Sequence, residues 1–157
     1  MPLTGDLARI DDQLRRAYDG DAWHGPPLRE VLNGVTAEKA AGKHPQLTHT
    51  AWALVNYLAA DLDVVARRLA EWRAVGEPEA GDFLSATDTS EAAWAAALEN
   101  LDRRHRTLLV VIAGLDVARL EAIVPGKTYP VAVMLHGIAQ HYAYHAGQIA
   151  LLKKLVG

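Results

Sequence analysis

Four long stretches of the chain place apolar residues three and four positions apart, the spacing that buries one face of a helix. They run from about Thr4 to Ala17, from His49 to Arg73, from Asp88 to Gly114, and from Pro130 onwards. No stretch alternates apolar and polar residues with period two. The pattern predicts an all-α chain that folds as a single domain over residues 1–157, a four-helix bundle with two long connections.

The two long connections follow the first and third helices. The first is expected to contain a short helix at Leu28–Leu32 and a single turn from Thr36 to Ala41, and the second covers residues 115–130. A shorter loop is predicted from Gly76 to Asp82. Long connections in a compact domain are often functional or pack on a site.

Residues suited to helix starts stand near the predicted boundaries. Thr4 and Thr48 can cap the first and second helices through their side-chain oxygens. Asp88 followed by Glu91 matches a capping box at the start of the third helix. Pro130 falls in the first turn of the last helix, where its missing N–H costs nothing.

Composition narrows the class of protein. Half of the 157 residues are hydrophobic and 22% are charged, as in a globular chain. The net charge of -3, with one short basic run at Arg103–Arg106, argues against a nucleic-acid partner. The chain has no cysteine, which excludes disulfides and cysteine-based catalysis by its own residues. Without an 18-residue apolar run or a secretory signal pattern, it is predicted to be cytoplasmic, with no membrane contact.

The last helix carries the most informative residues. His141 and His145 lie four positions apart, so on a helix they project from one face one turn apart. Both fall within the apolar stripe of that helix, so they are predicted to point into the core. Two such imidazoles can share a metal ion, as inward side chains do in helix bundles. The alternative is a pair of core histidines hydrogen-bonded to their neighbours.

The sequence around this pair resembles the C-terminal signature of the DinB-like superfamily. Tyr144 precedes the second histidine, and Gly147, Gln148 and Ile149 follow it. Two upstream segments, W-H-G-P-P-L from residue 23 and H-T-A-W-A-L-V from residue 49, are similar to one branch of that superfamily. The resemblance covers nearly the whole chain. It implies a four-helix bundle, usually dimeric, with a divalent metal held by three histidines, two from the last helix and one from the second.

The chain departs from that pattern at the third ligand. Eight residues after His49, where the resemblance places the second-helix histidine, stands Tyr57, preceded by Asn56. Neutral tyrosine and asparagine are poor ligands for transition metals, whereas a carboxylate is competent. Asp61, His49 and His105 are therefore candidates for a substitute third ligand. For His105, between arginines, a half-exposed histidine without a metal role is the commoner outcome.

Other residues are candidates to contact a substrate or to support the metal ligands. These are His24, His49, Asn56, Tyr57 and Gln148. His24, in the first long connection, is predicted to be either an exposed loop residue or a lid residue near the metal.

The resemblance implies a metal-dependent enzyme that transfers a low-molecular-weight thiol or hydrolyses a small-molecule substrate. Because the third histidine is missing, zinc or nickel is expected to bind weakly or to be absent from the purified protein. The alternative is a metal-free, non-catalytic dimeric protein with a binding or structural role. A homodimer is expected from the resemblance and from Trp52, Trp72 and Trp94, which offer more apolar surface than one small core needs.

Overall fold

The computed structural model, which describes residue 3 and residues 5–76 and 86–156, is all-helical, as the apolar spacing predicts. The α-helices are α1 (Gly5–Asp19), α2 (Leu28–Leu32), α3 (Ala37–Ala41), α4 (Ala51–Glu71), α5 (Glu91–Ala113) and α6 (Val131–Leu155). A 3₁₀ helix, Val117–Glu121, lies in the second long connection. Of the helices described, none is long and apolar enough to cross a membrane. The predicted Thr4 cap and most of the predicted Gly76–Asp82 loop lie outside the described residues.

The four long helices pack around a shared apolar core. Helix α4 packs chiefly on α5 and α1 chiefly on α6, while α6 also contacts α2 and α4. The largest side chains with almost no exposure include Ile10, Leu14, Leu54, Leu58, Leu62, Leu101, Leu108, Ile112, Leu135 and Tyr142. Each buried Leu or Ile contributes on the order of 2 kcal/mol through removal of apolar surface from water. A few polar side chains are also buried in this core, among them His105 and His145. Because burying a polar group is costly unless it is paired, these residues are candidates for a functional role.

Trp52 and Trp94 belong to the core and Trp72 is half-buried against it, so these three do not supply the surplus apolar surface expected of them. The Trp52 and Trp94 rings are buried with their centroids 5.0 Å apart, and the Trp94 indole N–H donates to the Val35 carbonyl oxygen at 2.7 Å. Trp72 ends α4 in a left-handed conformation, with φ of 46°, and the Arg119 guanidinium covers its ring at 3.9 Å. The tryptophans therefore give no support to the homodimer prediction.

Two predicted helix starts are wrong by a few residues. Helix α4 begins at Ala51 rather than His49, because Thr50, not Thr48, is its cap and accepts a hydrogen bond from the Ala53 N–H. The Thr50 side chain is buried, so its oxygen is held where it can reach that N–H. His49 consequently precedes the helix.

The capping box predicted for α5 does not form. Ser90 caps the helix by accepting from the Ala93 N–H, and the Asp88 carboxylate accepts from the Ser90 N–H one step earlier. The Glu91 carboxylate instead accepts from the Ala37 N–H at 2.9 Å and ties the start of α5 to α3. A tertiary contact thus replaces the local one that the sequence pattern predicted.

Candidate functional site

Helix α6 presents His141 and His145 on one face, one turn apart. His145 is buried, with 5% of its surface exposed, whereas His141 is half-buried. The apolar residues Met134, Ile138 and Ile149 of the same helix are buried. The pair therefore sits where the apolar stripe of α6 meets the edge of the core.

The two imidazoles are part of a hydrogen-bonded chain that joins α4 to α6. Their Nε2 atoms are 2.6 Å apart. The Nδ1 atom of His141 lies 2.9 Å from an oxygen of the Asp61 carboxylate, which reaches across from α4. The Nδ1 atom of His145 lies 2.6 Å from the Oε1 atom of Gln148, one turn further along α6. Each end of the histidine pair is thus held by a polar side chain.

The partners of His141 and His145 determine which of their ring nitrogens carry a hydrogen. Asp61 and the Gln148 oxygen can only accept, so both Nδ1 atoms donate and both Nε2 lone pairs face each other. Two facing lone pairs require a cation between them, either a proton or a metal ion. If the Gln148 amide is turned over, its N–H donates instead, and two neutral rings satisfy all three contacts. Burial, with the nearby charge of His141, lowers the pKa of His145 to about 4, so a shared proton is not favoured on His145 at neutral pH.

His141 and His145 are suitably placed to bind one metal ion together, but the described part of the chain places no third ligand beside them. In a tetrahedral zinc site with Zn–N distances of about 2.0–2.1 Å, two ligand nitrogens lie roughly 3.3 Å apart, so the two Nε2 atoms have to separate only slightly. Within the described ranges, no three His, Asp or Glu side chains are grouped so that they could hold a metal ion. The residues present therefore provide two imidazole ligands with both outer nitrogens anchored.

Tyr57 and Asp61 approach the pair from α4, but on different sides. The Tyr57 ring lies edge-on to both imidazoles, with centroid distances of 5.5 Å to His141 and 5.6 Å to His145. Asp61 contacts the outer nitrogen of His141, away from the space between the two rings. In this arrangement Asp61 supports a ligand rather than acting as the third ligand. Asn56 is half-buried beside Tyr57 and takes no part in the hydrogen-bonded chain.

His49 lies near the same site. It is half-buried, and its charge acts on His145, where it helps to lower the pKa. It also forms part of the wall of a cavity of about 360 Å³, together with Lys43, His44 and Thr50. His49 is therefore close enough to the histidine pair to act on it electrostatically, and it also lines a cavity.

Two sequence candidates lie elsewhere. His24 is exposed in the first long connection, without a contact to the histidine pair. His105 is 6% exposed, so the expectation of a half-exposed residue is wrong. Its Nδ1 atom lies 2.9 Å from the Tyr142 hydroxyl and its ring stacks on Tyr18, so its contacts are in a separate cluster.

Sequence reasoning found Gln148 beside the histidine pair, but in the second cluster it found only His105 and missed Tyr18, Asp102 and Tyr142. The spacing of His145 and Gln148, three residues apart on one helix, is a local signal for their contact. Tyr18 and Asp102 are 84 residues apart in the sequence. The Tyr18 hydroxyl donates a hydrogen bond of 2.5 Å to the Asp102 carboxylate. No local pattern in the sequence predicts a contact of that range.

Comparison with known proteins shows to which family the chain belongs. A family model described as the DinB superfamily matches residues 21–149, a range that contains His49, Tyr57, Asp61 and the whole α6 site. No curated protein and no solved structure shows a significant match to the chain. Because the family match spans well over half of its length, the chain belongs to the DinB superfamily.

Proposed function

We propose that this protein is a divalent-metal-dependent enzyme of the thiol-dependent transferase or hydrolase type, with a four-helix bundle around an incomplete three-histidine site. One observation carries the proposal: the Nε2 atoms of His141 and His145 face each other at 2.6 Å while both outer nitrogens are anchored. Zinc or nickel is the expected ion, because both accept imidazole ligands. With two imidazoles instead of three, the ion binds weakly.

Each supporting residue has a defined task in this proposal. When bound, a divalent transition metal supplies Lewis-acid activation of a thiol or a water molecule. The Asp61 carboxylate fixes the tautomer and orientation of the His141 ring, and Gln148 does the same for His145. The Tyr57 ring borders both imidazoles, which supports a role for its phenol in contacting the substrate.

The substrate is assigned to the cavity next to His49. Its volume of about 360 Å³ is at the lower end of the range for small-molecule sites. Lys43 lines it and is exposed, so an ammonium group is available for an anionic substrate. A low-molecular-weight thiol that carries a carboxylate fits these features, and the chain itself has no cysteine to supply the sulfur.

Metal titration tests the proposal. Zinc and nickel are titrated by calorimetry into untagged protein that has been stripped of metal, for the parent and for His145→Ala. The parent is expected to bind one equivalent, and His145→Ala to bind at least about tenfold more weakly. His136→Ala is the matched control, because His136 is an exposed histidine of the same helix that contacts Gln13 instead. Equal affinities of the parent and His145→Ala would contradict the proposal.

Two further outcomes of the titration distinguish the claim that a metal binds from the claim that it binds weakly. If one equivalent of metal survives dialysis of the parent against a chelator, the site is complete and the expectation of weak binding is wrong. If neither ion binds, the alternative function holds: a metal-free, non-catalytic binding or structural member of the superfamily. A specific observation favours that alternative, since every ring nitrogen of the pair already has a hydrogen-bond partner.

We also propose a homodimer that forms through the exposed face of α6. Val133, Tyr144, Leu151 and Leu155 on that helix are between 50% and 66% exposed. Light scattering should give twice the chain mass of 17.0 kDa for the parent and a single chain mass for Leu151→Glu. Val110→Glu, at an exposed valine of α5, is the control that should leave the dimer intact. A parent that scatters as a single chain across the micromolar range would exclude the dimer.

A further inference from the structure

A second cavity lies between α1, α5 and the segment around α2. Its volume is about 950 Å³, and it shares no lining residue with the His141–His145 site or with the cavity beside His49. Leu32, Leu98 and Leu109 form apolar parts of its wall. The volume is at the upper end of the range for small-molecule sites.

His105 lies on the wall of this cavity and is 6% exposed. Its ring stacks on the Tyr18 ring, with centroids 3.8 Å apart and an interplanar angle of 9°. Tyr18 is held in turn by its hydrogen bond to Asp102, which also pairs with Arg29 at 3.1 Å. The imidazole is therefore fixed in place by a network that extends from α1 to α5.

The hydrogen bond between His105 and Tyr142 determines which nitrogen carries the hydrogen. Tyr142 is fully buried, and the Nδ1 atom of His105, at 2.9 Å, is the partner of its hydroxyl within the described chain. If Nδ1 donated, the hydroxyl hydrogen of Tyr142 would be buried without an acceptor, which is unfavourable. The hydroxyl therefore donates to Nδ1. Burial keeps the ring neutral by lowering its pKa to about 4, so the single ring hydrogen is on Nε2.

The Nε2–H group of His105 is thus a buried donor without an acceptor. The two ring nitrogens point in nearly opposite directions, so Nε2 faces away from Tyr142. No oxygen or nitrogen of residues 5–76 or 86–156 accepts its hydrogen. Buried polar groups are rarely left unpaired in folded proteins, and those that are call for an explanation. A ligand in the adjoining cavity supplies one.

Charges of both signs surround His105, so the requirement for an acceptor atom comes from its Nε2–H group and not from the charges. Arg15 and Arg106 line the same cavity, and the charges of both act on the imidazole. Arg106 pairs with Glu99 in an exposed ion pair, which holds the arginine only weakly, whereas Arg15 pairs with the mostly buried carboxylate of Asp11. Carboxylates also line the cavity, those of Asp19, Glu30, Glu91 and Asp102, and the charge of Asp102 acts on the imidazole in the opposite sense. A cationic ligand therefore has to be tested as the competing chemistry.

We propose that this cavity is a second binding site, for a small molecule with an apolar body and a terminal carboxylate or carboxamide, whose oxygen accepts a hydrogen bond from His105 Nε2. The apolar body packs on the leucines of the wall. The site is independent of the proposed metal site, because it shares no residue with it.

Nuclear magnetic resonance of ¹⁵N-labelled histidine tests both the donor and the ligand. At pH 7 the spectrum should show His105 with its hydrogen on Nε2. Hexanoate and hexanamide should shift that resonance with a Kd on the order of 1 mM, as expected for ligands of this size. Hexylammonium, which has the same chain but no acceptor, should leave it unchanged. The Nδ1–H tautomer, no shift at about 10 mM of either acceptor ligand, or equal binding of hexylammonium would overturn the proposal.

Two pairs of variants locate the site. Ala95→Trp fills the cavity from an exposed position that lines it, and should weaken hexanoate binding at least about tenfold. Ala96→Trp, at the next exposed position of α5 and outside the cavity, should bind as the parent does. His105→Gln keeps an N–H donor and should retain binding, whereas His105→Phe keeps only the ring and should lose it. If the His105 variants do not fold, equal binding by the two tryptophan variants still refutes the site.

Discussion

His145 and His105 are both buried histidines, and burial brings the pKa of each to about 4, yet their surroundings differ. Both ring nitrogens of His145 have partners, His141 at Nε2 and Gln148 at Nδ1. His105 has a partner at Nδ1 only, and the residue lines a large cavity. Burial sets the charge state of both rings, but the number of partners decides what each ring can still bind.

The two clusters also differ in how they are assembled. In the first, His141, His145 and Gln148 come from two turns of one helix, and only Asp61 and Tyr57 are brought in from α4. In the second cluster, four residues come from three different helices, with Tyr18 on α1, Asp102 and His105 on α5 and Tyr142 on α6. The first therefore depends on helix geometry and the second on the packing of the whole domain.

The largest effect is expected from protonation of His105. Its pKa is about 4 in the folded protein and near 6.5 in the unfolded chain, so the unfolded chain binds the proton more tightly. The stability due to the neutral ring is complete above pH 6.5 and is lost as the pH falls towards 4, by about 3 kcal/mol at most. Denaturant unfolding at pH 7 and pH 4 isolates this loss when the parent is compared with His105→Phe, because His145 contributes equally to both proteins. His105→Phe should lose less stability over this range, and an equal loss in both proteins would show that His105 is not the group responsible.

Next in size is the gain of metal affinity when the third histidine is restored. Tyr57→His places an imidazole on α4 beside both existing rings, and should tighten zinc binding by about 100-fold. Calorimetric titration gives the affinity. Adding His145→Ala should abolish the gain, and Tyr57→Phe, which keeps the ring but adds no ligand, should show none. A gain that persists without His145 would place the metal somewhere else.

A smaller effect is expected when the hydroxyl that orients His105 is removed. Tyr142→Phe leaves a buried ring nitrogen without its partner and should lower the free energy of unfolding by about 2 kcal/mol. Tyr144→Phe removes a hydroxyl from an exposed tyrosine of the same helix and should change it by less than about 0.5 kcal/mol. The comparison is made by denaturant unfolding at pH 7. Similar values for the two variants would mean that the Tyr142–His105 contact contributes little.

The smallest predicted effect is the loss of zinc affinity when the contact between Asp61 of α4 and His141 is removed. Asp61→Asn removes the carboxylate that accepts from Nδ1 and should weaken zinc binding about tenfold while leaving both ligands in place. Asp63→Asn is the matched control, since that carboxylate on the same helix pairs with Arg104 at 2.6 Å instead. If both variants bind zinc as the parent does, Asp61 has no part in holding the ligand.

Residue spacing along the chain is enough to predict the helical class, the short helices α2 and α3, and the pairing of His141 with His145. These features depend on contacts three or four residues apart along a helix, which periodicity and side-chain type report directly. The resemblance added the superfamily and pointed to Tyr57 as the residue that replaces a histidine. The family match confirms the superfamily, while the role of Tyr57 remains a prediction.

The ring nitrogen that each partner contacts depends on how the helices pack against one another. The register of α4 against α6 places Asp61 on the outer nitrogen of His141, and a shift of one turn would present a different side chain. Packing of α1 and α6 against α5 buries His105 and gives it Tyr18 and Tyr142 as neighbours, although its sequence neighbours are arginines. Contacts between helices depend on their relative positions, and the spacing of residues within one helix does not contain that information.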